Sequence, residues 1–423
     1  MTDTVSEIIE VLKIYGDETG LPIIPYADWI KIRSTYEREH LQQAFADLII
    51  DNNIPFPFKQ VSEEELKTTF FRLRKHCPDL HYPTNVNEKH DFKYKYVDNP
   101  LGVIKKTSHL YNNLSNQFQQ ENRLNCGSVW DKSPVEMWTT KKYLKGLRWQ
   151  FWNDKFLTKV GINAAEYRAA FQTASYTCSQ FKPEIAKFCY AKTNAKTVLD
   201  LSCGWGDRLA GFFGTPNAEV YIGCDPNPVV YNTYKKQCIA YESYLGVDAK
   251  ITEYDNYFES QGTKLVRIYN LPAEDVDWTQ YHNYFDVMMT SPPYFALEKY
   301  DDKSETNSGQ SWIRYPNFEK WRDEFLYPLI DAIIPTINET GYLMLNIVEP
   351  KTGGRKTKSH MLCDDMVEYI NPKLKYQGKL GMDIVARPDN IVNAIKSNTT
   401  TIEPIFVFSK GVFRTPTLDD FFV

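Results

Sequence analysis

Apolar positions recur at three- and four-residue spacings through residues 5–15, 26–52 and 62–76, which predicts helices in the first 75 residues. Breaks fall at Gly20-Leu21-Pro22 and at Ile54-Pro55-Phe56-Pro57, where proline removes a backbone donor and ends a helix. Residues 77–135 are polar, rich in Asn and Tyr and weakly periodic, so they predict no element. From about residue 165 the period changes. Short apolar runs at 197–201, 220–224, 265–269, 286–290, 341–348 and 405–409 predict strands, and helical spacing at 207–213, 228–244 and 318–337 lies between several of them. Such alternation predicts an α/β fold, a Rossmann-like, mostly parallel central sheet with helices on both faces. The expected layout is a mainly helical N-terminal domain over 1–160, the sheet domain over 165–410 and a tail over 411–423. Ligands of such sheets bind at the carboxyl ends of the strands.

Composition narrows the partners. The 423 residues are 42% hydrophobic and 24% charged, enough for a sizeable core and against global disorder. No apolar run approaches the roughly 20 residues that span a bilayer, and the first ten residues lack the layout of a secretory signal. The expectation is a soluble protein inside a bacterial or virus-infected host cell. A net charge of −5 argues against a protein that coats nucleic acid with its whole surface, but allows a local basic face. The eight cysteines form no CxxC pair and have no metal-ligand spacing, so buried thiols and no metal are expected.

Two segments carry chemistry. The first is Asp200-Leu201-Ser202-Cys203-Gly204-Trp205-Gly206-Asp207, at the end of the first strand of the sheet. Gly204 and Gly206 let the backbone approach a ligand where a side chain would obstruct it. Asp225, at the end of the second strand, is placed to accept ribose hydroxyls. The turn lacks the full GxGxxG of a dinucleotide fold. The second segment is Thr290-Ser291-Pro292-Pro293-Tyr294, at the end of a later strand. Two consecutive prolines remove two donors and stiffen the backbone. The Pro292 carbonyl and Ser291 can then take the hydrogens of a planar amine while the ring of Tyr294 stacks on it.

With Asp225, the first segment resembles the S-adenosylmethionine site of class I methyltransferases. Together the two segments resemble the DNA amino-methyltransferases, which act on cytosine N4 or adenine N6. Their catalytic (Ser/Asp/Asn)-Pro-Pro-(Tyr/Phe) motif is matched by Ser291, Pro292, Pro293 and Tyr294, and their cofactor motif by residues 200–206. Upstream, Gln180-Phe181-Lys182-Pro183-Glu184 is similar to the family's Gln-Lys-Pro-Glu stretch, with Phe181 as an extra residue. The resemblance implies contacts of Lys182 and Pro183 with the methionine end of the cofactor. It places Glu274 and Asp275 near the adenine. It covers about residues 172–410, with the cofactor motif first and no long insertion before the catalytic motif. Ser in the first motif position favours cytosine N4 slightly over adenine N6.

The implied mechanism is direct. An exocyclic base amine is a poor nucleophile because its lone pair is delocalised into the ring. Acceptors at Ser291 and the Pro292 carbonyl would draw the nitrogen towards tetrahedral geometry and free that lone pair. No covalent base intermediate is required, and no Pro-Cys pair of the cytosine-C5 route is present. The target base would have to flip out of the helix. Two other classes stay open: an RNA base methyltransferase, for instance acting on transfer RNA, and a non-catalytic DNA-binding protein on the same fold.

DNA is the expected partner, and two basic stretches are candidates to meet it. Residues 101–160 hold ten Lys/Arg against four Asp/Glu, with Lys141, Lys142, Lys145 and Arg148 interleaved with Trp138, Tyr143, Trp149 and Trp152. The same pattern fits an amphipathic helix with Trp149 and Trp152 in the core and its lysines in water. The other stretch, 351–358, carries Arg355, Lys356 and Lys358 just after a sheet strand. In the tail, Leu418, Phe421 and Phe422 resemble the peptides that dock replication proteins on a sliding clamp, although the tail can equally fold back onto the domain.

Overall fold

The computed structural model describes residues 2–81, 100–105, 108–128, 131–145, 149–154, 157, 160–296, 300, 309–352, 358–383 and 402–411. The chain divides into two compact units, one of residues 1–60 and 120–178, the other of 61–119 and 179–423. The division differs from a single cut at residue 160, because residues 61–119 fold with the sheet. Pro100–Ile104 pairs with the strand Lys375–Asp383, and the helix Glu63–Lys75 packs on Asp207–Gly214.

The first unit is helical. Its core gathers Ile8 and Leu12 from Thr2–Lys13, Trp29 from Tyr26–Thr35, Phe45 from Arg38–Asp51, and Tyr167 and Phe171 from Ala164–Ala174. The apolar period over 26–52 predicts one helix, but two form. Ser34 and Thr35 both donate their hydroxyls to the Lys31 carbonyl at 2.8 Å, and Tyr36 turns extended. Such side-chain bonds compete with the helical ladder.

The second unit is built on an eleven-stranded sheet. In chain order its strands are β1 (Leu80–His81), β2 (Pro100–Ile104), β3 (Thr197–Asp200), β4 (Val220–Cys224), β5 (Lys250–Glu253), β6 (Tyr257–Gln261), β7 (Leu265–Tyr269), β8 (Phe285–Thr290), β9 (Ile337–Asn346), β10 (Lys375–Asp383) and β11 (Ile402–Ser409). Their order across the sheet is β1-β2-β10-β11-β9-β8-β3-β4-β7-β6-β5. The five in the middle, β9-β8-β3-β4-β7, are all parallel, and β11 runs antiparallel between β9 and β10. This is the α/β, Rossmann-like architecture expected, built on a mostly parallel central sheet.

Successive strand residues face opposite ways. Leu199, Ile222, Met288 and Leu343 join one core with Phe325, Ile330 and Met366. Val198, Tyr221, Met289 and Met344 are buried as well, and Tyr221 meets Phe212 of the helix Asp207–Gly214. The hairpin β5–β6 and the strands β1, β2 and β10 have no counterpart among the predicted strands. All lie outside the apolar middle, and β5 and β6 keep Lys250, Glu253 and Gln261 exposed. Among the described residues, no helix is long and apolar enough to cross a membrane.

Candidate active site

The parallel order brings the ends of β4, β3 and β8 side by side, and each carries one of the segments singled out in the sequence. After β3 the chain turns through Gly204 (φ +55°) and Gly206 (φ +74°) into the helix Asp207–Gly214. These left-handed values favour glycine. At Gly206 a Cβ would also overlap the buried side-chain amide of Gln237, whereas at Gly204 it would meet no atom nearer than 3.6 Å.

Asp225, at the end of β4, is almost fully buried. Its Oδ2 accepts from Gly204 N at 2.9 Å and Tyr234 OH at 3.1 Å, and its Oδ1 from Asn227 N at 3.0 Å. Burial raises its pKa from 3.8 to about 6, against the lowering pull of these donors.

Asp200 ends β3. It is fully buried, and its carboxylate accepts from Arg208 Nε at 2.8 Å, Tyr221 OH at 2.6 Å, Thr290 Oγ1 at 3.0 Å and Ser202 N at 3.2 Å. Four donors, from the turn after β3, from β4, from β8 and from the following helix, converge on it, so Asp200 braces the strand ends. Cys203 is likewise buried, its thiol held beside Tyr221 and its pKa pushed up by burial. Ser202 faces Thr290, with their hydroxyls 3.5 Å apart.

Lys182 caps the helix Pro183–Lys192, and Pro183 is its buried first residue. Gln180 donates to Asp207 Oδ1 and Ser115 Oγ at 2.9 Å each and to the Asn112 carbonyl at 3.0 Å. Residues 108–119, unassigned from sequence, therefore help to build this rim. The extra Phe181 lies under the Arg208 guanidinium, 5.3 Å from its ring centroid. Glu274 and Asp275 form a short 3-10 turn and pair with Arg314, Glu274 at 2.8 Å and Asp275 through both oxygens at 2.9 and 3.1 Å. Burial raises the pKa of Glu274, and Arg314 partly opposes the shift.

Ser291, Pro292, Pro293 and Tyr294 follow β8 directly. Ser291 Oγ donates to Tyr294 OH at 3.2 Å, and Tyr294 OH donates to Glu403 Oε1 at 2.7 Å, with both oxygens of Asn346 at 3.3 Å. The next residue, Phe295, takes the left-handed φ of +52°, rare for a bulky side chain, and packs on Phe318, Trp321 and His360. Strain of this kind persists where the surroundings over-determine it, and it clusters at functional sites.

The sequence reading missed Arg208, Tyr234, Asn346 and Glu403. Arg208 and Tyr234 had a signal, since they follow the singled-out acids Asp200 and Asp225 by eight and nine residues. Asn346 and Glu403 had none, being 52 and 109 residues from Tyr294.

The basic residues fare unevenly. Lys141 is ion-paired with Asp47 at 2.5 Å, Trp138 is buried and donates to the Ile54 carbonyl, and Trp152 packs edge-on against Trp29. Trp152 is partly buried against this core, and Lys142 and Lys145 are exposed. Arg148, Arg355, Lys356 and the tail with Leu418, Phe421 and Phe422 lie outside the described residues. Lys358 begins a two-residue strand paired with Lys351–Thr352. Among the described residues no cluster of His, Cys, Asp or Glu is placed to hold a metal ion.

No protein-family model matches the sequence, and no curated protein matches it. Among solved structures, the chain is similar to Trm1 from Pyrococcus horikoshii in complex with S-adenosyl-L-methionine (16% identity, TM-score 0.31, 56% of this chain and 58% of that one). It is also similar to an O-methyltransferase family protein from Burkholderia thailandensis (12%, 0.33, 73% and 75%). A third is the 1,6-didemethyltoxoflavin-N1-methyltransferase of the same organism, bound to its substrate and S-adenosylhomocysteine (11%, 0.31, 53% and 76%). The chain thus spans little more than half of the Pyrococcus protein. Strand order and direction define the fold.

Proposed function

We propose that this chain is an S-adenosylmethionine-dependent DNA amino-methyltransferase, acting on the exocyclic amine of a flipped base, with cytosine N4 slightly favoured over adenine N6. One observation carries the reading. The loop suited to an amine and the loop suited to a nucleoside leave adjacent parallel strands and are bonded to each other through Thr290 Oγ1 and Asp200 Oδ1 at 3.0 Å. A methyl donor and a methyl acceptor held at these loops would lie next to one another, which a transfer reaction needs.

The residues present fit the cofactor at its ribose end. A carboxylate offers about four acceptor sites. Asp225 fills three, with Gly204, Tyr234 and Asn227. The last can take a ribose hydroxyl. Gly204 keeps the approach clear of side chains. When bound, S-adenosylmethionine supplies an electrophilic methyl on a positively charged sulfur. Ser291 and the Pro292 carbonyl accept the amine hydrogens, and Tyr294 holds the base ring.

The basic stretch 351–358, with Lys142 and Lys145, belongs to the proposal as DNA contacts. The tail residues Leu418, Phe421 and Phe422 belong to it as a clamp-docking peptide.

The test is transfer of labelled methyl from S-adenosylmethionine to PCR-amplified, hence unmethylated, DNA and to transcribed transfer RNA, followed by mass spectrometry of the nucleosides. The expected product is N4-methylcytosine or N6-methyladenine in DNA, lost in Pro292→Ala and Tyr294→Ala while cofactor binding survives. A product in transfer RNA alone would overturn the DNA assignment, and full activity of both variants would overturn the catalytic one.

A further inference from the structure

The amine loses a proton when it is methylated, and the roles proposed above leave that proton without a destination. The structure provides one. Ser291 Oγ, Tyr294 OH and Glu403 Oε1 form a continuous chain, with steps of 3.2 and 2.7 Å. The second step has the length of a charge-assisted bond to a carboxylate. Strand register puts Glu403 there. Asn346, the last residue of β9, pairs with Ile405 of the antiparallel β11, so Glu403 falls just beyond the carboxyl end of β9, where the Ser291–Tyr294 loop emerges.

The phenol does not need Glu403 for its own satisfaction. Both oxygens of Asn346 lie 3.3 Å away, and Asn346 is itself anchored by donating to the Pro404 carbonyl at 3.0 Å. Asn346 also reaches Glu403 Oε1 at 3.4 Å, aiming the carboxylate at Tyr294.

Resting on the reading above, we propose that Glu403 is a positioning residue that receives the proton of the methylated amine through Tyr294 and Ser291. As the nitrogen–methyl bond forms, the methyl–sulfur bond breaks and its electron pair stays on sulfur, which becomes a neutral thioether. The amine proton passes to Ser291 Oγ, the Ser291 proton to Tyr294 OH, and the Tyr294 proton to Glu403, which ends as a neutral carboxylic acid. Atoms and charge balance without a further reactant.

Glu403→Gln keeps shape and polarity but accepts no proton, and Tyr294→Phe keeps the stacking ring but breaks the chain. Proton-transfer groups contribute about 10²–10⁴-fold to rate. Each variant should therefore lower the single-turnover rate of methyl transfer to PCR-amplified DNA by about a hundredfold or more. Affinity for S-adenosylmethionine, by calorimetry, and for the DNA, by fluorescence anisotropy, should stay within about twofold, because neither binding step moves a proton. The double variant should be no slower than Tyr294→Phe alone, since both changes cut one chain. Wild-type rate in Glu403→Gln, or multiplying losses in the double variant, would overturn the proposal alone. Affinity lost together with rate in both variants would also overturn it, by making the pair structural. A wild-type protein that binds cofactor yet methylates neither DNA nor transfer RNA would overturn the function reading, and this proposal with it.

Discussion

Replacing Asp200 with Asn separates a structural brace from a cofactor ligand. The carboxylate is fully buried and the Arg208 side chain it pairs with is 5% exposed. Burial disfavours the Arg208 charge, and Asp200 more than restores it. Asn keeps the shape and one acceptor oxygen but removes the negative charge, so the guanidinium stays buried without a counter-ion. Breaking one side of such a pair costs about 3–5 kcal/mol. The new NH2 also faces donors, Arg208 Nε and Tyr221 OH or Ser202 N and Thr290 Oγ1 according to its orientation. For a unit of this size each kcal/mol moves the unfolding midpoint by about 2–4 °C, so the sheet unit should melt roughly 6–20 °C lower. Calorimetric scans of the ligand-free protein measure this, and cofactor titrations below the new midpoint complete the test. A variant that melts within about 2 °C of wild type but no longer binds S-adenosylmethionine would refute the argument and restore Asp200 as a ligand.

Asp225→Asn should do the reverse. A carboxyl pKa held at about 6 in the folded state means that folding favours its protonated form. Stability from this group is full below the ordinary carboxylate range and lost as pH rises through about 6, to the order of 3 kcal/mol at neutral pH. The variant should thus lose far less stability at pH 7 than Asp200→Asn, since its new NH2 faces a donor but no buried cation loses its partner, yet bind S-adenosylmethionine about tenfold or more weakly. Wild-type affinity should itself decline as pH falls through about 6, and a flat titration between pH 5 and 8 would count against the ribose-acceptor role. Gly206→Ala should cost more stability than Gly204→Ala in chemical denaturation: both incur about 1–2 kcal/mol of left-handed strain, and only Gly206 adds overlap with Gln237. Alanine at Arg355, Lys356 and Lys358 together should weaken DNA binding and reduce the slope of log affinity against log salt by up to about three phosphate contacts; an unchanged slope would return that stretch to a solvated face.

What could be read along the chain was whatever is decided locally. The strands β3, β4, β7, β8 and β9 are apolar in sequence because both faces of the sheet middle are covered. β5, β6 and β10 escaped notice because flanking strands mix Lys, Glu and Gln with their apolar residues. The helical pattern over 26–52 concealed a break set by two hydroxyls bonding to one carbonyl.

The site divides along the same line. Glycine at 204 and 206, the proline pair at 292–293 and an acid at the end of β4 are demands of backbone geometry and nearest neighbours, so sequence alone determined where the loops are and what chemistry they suit. Which acid is free to hold a ligand was not local. Asp200 and Asp225 look alike at the ends of their strands, but Ser202, Arg208, Tyr221 and Thr290 bring four donors to the first, and Gly204, Asn227 and Tyr234 bring three to the second. Only the tertiary structure decided that, and likewise the meeting of Tyr294 with Glu403. A carboxylate's role depends on how many donors converge on its oxygens. Those donors come from strands whose order and register are set by packing between distant parts of the chain.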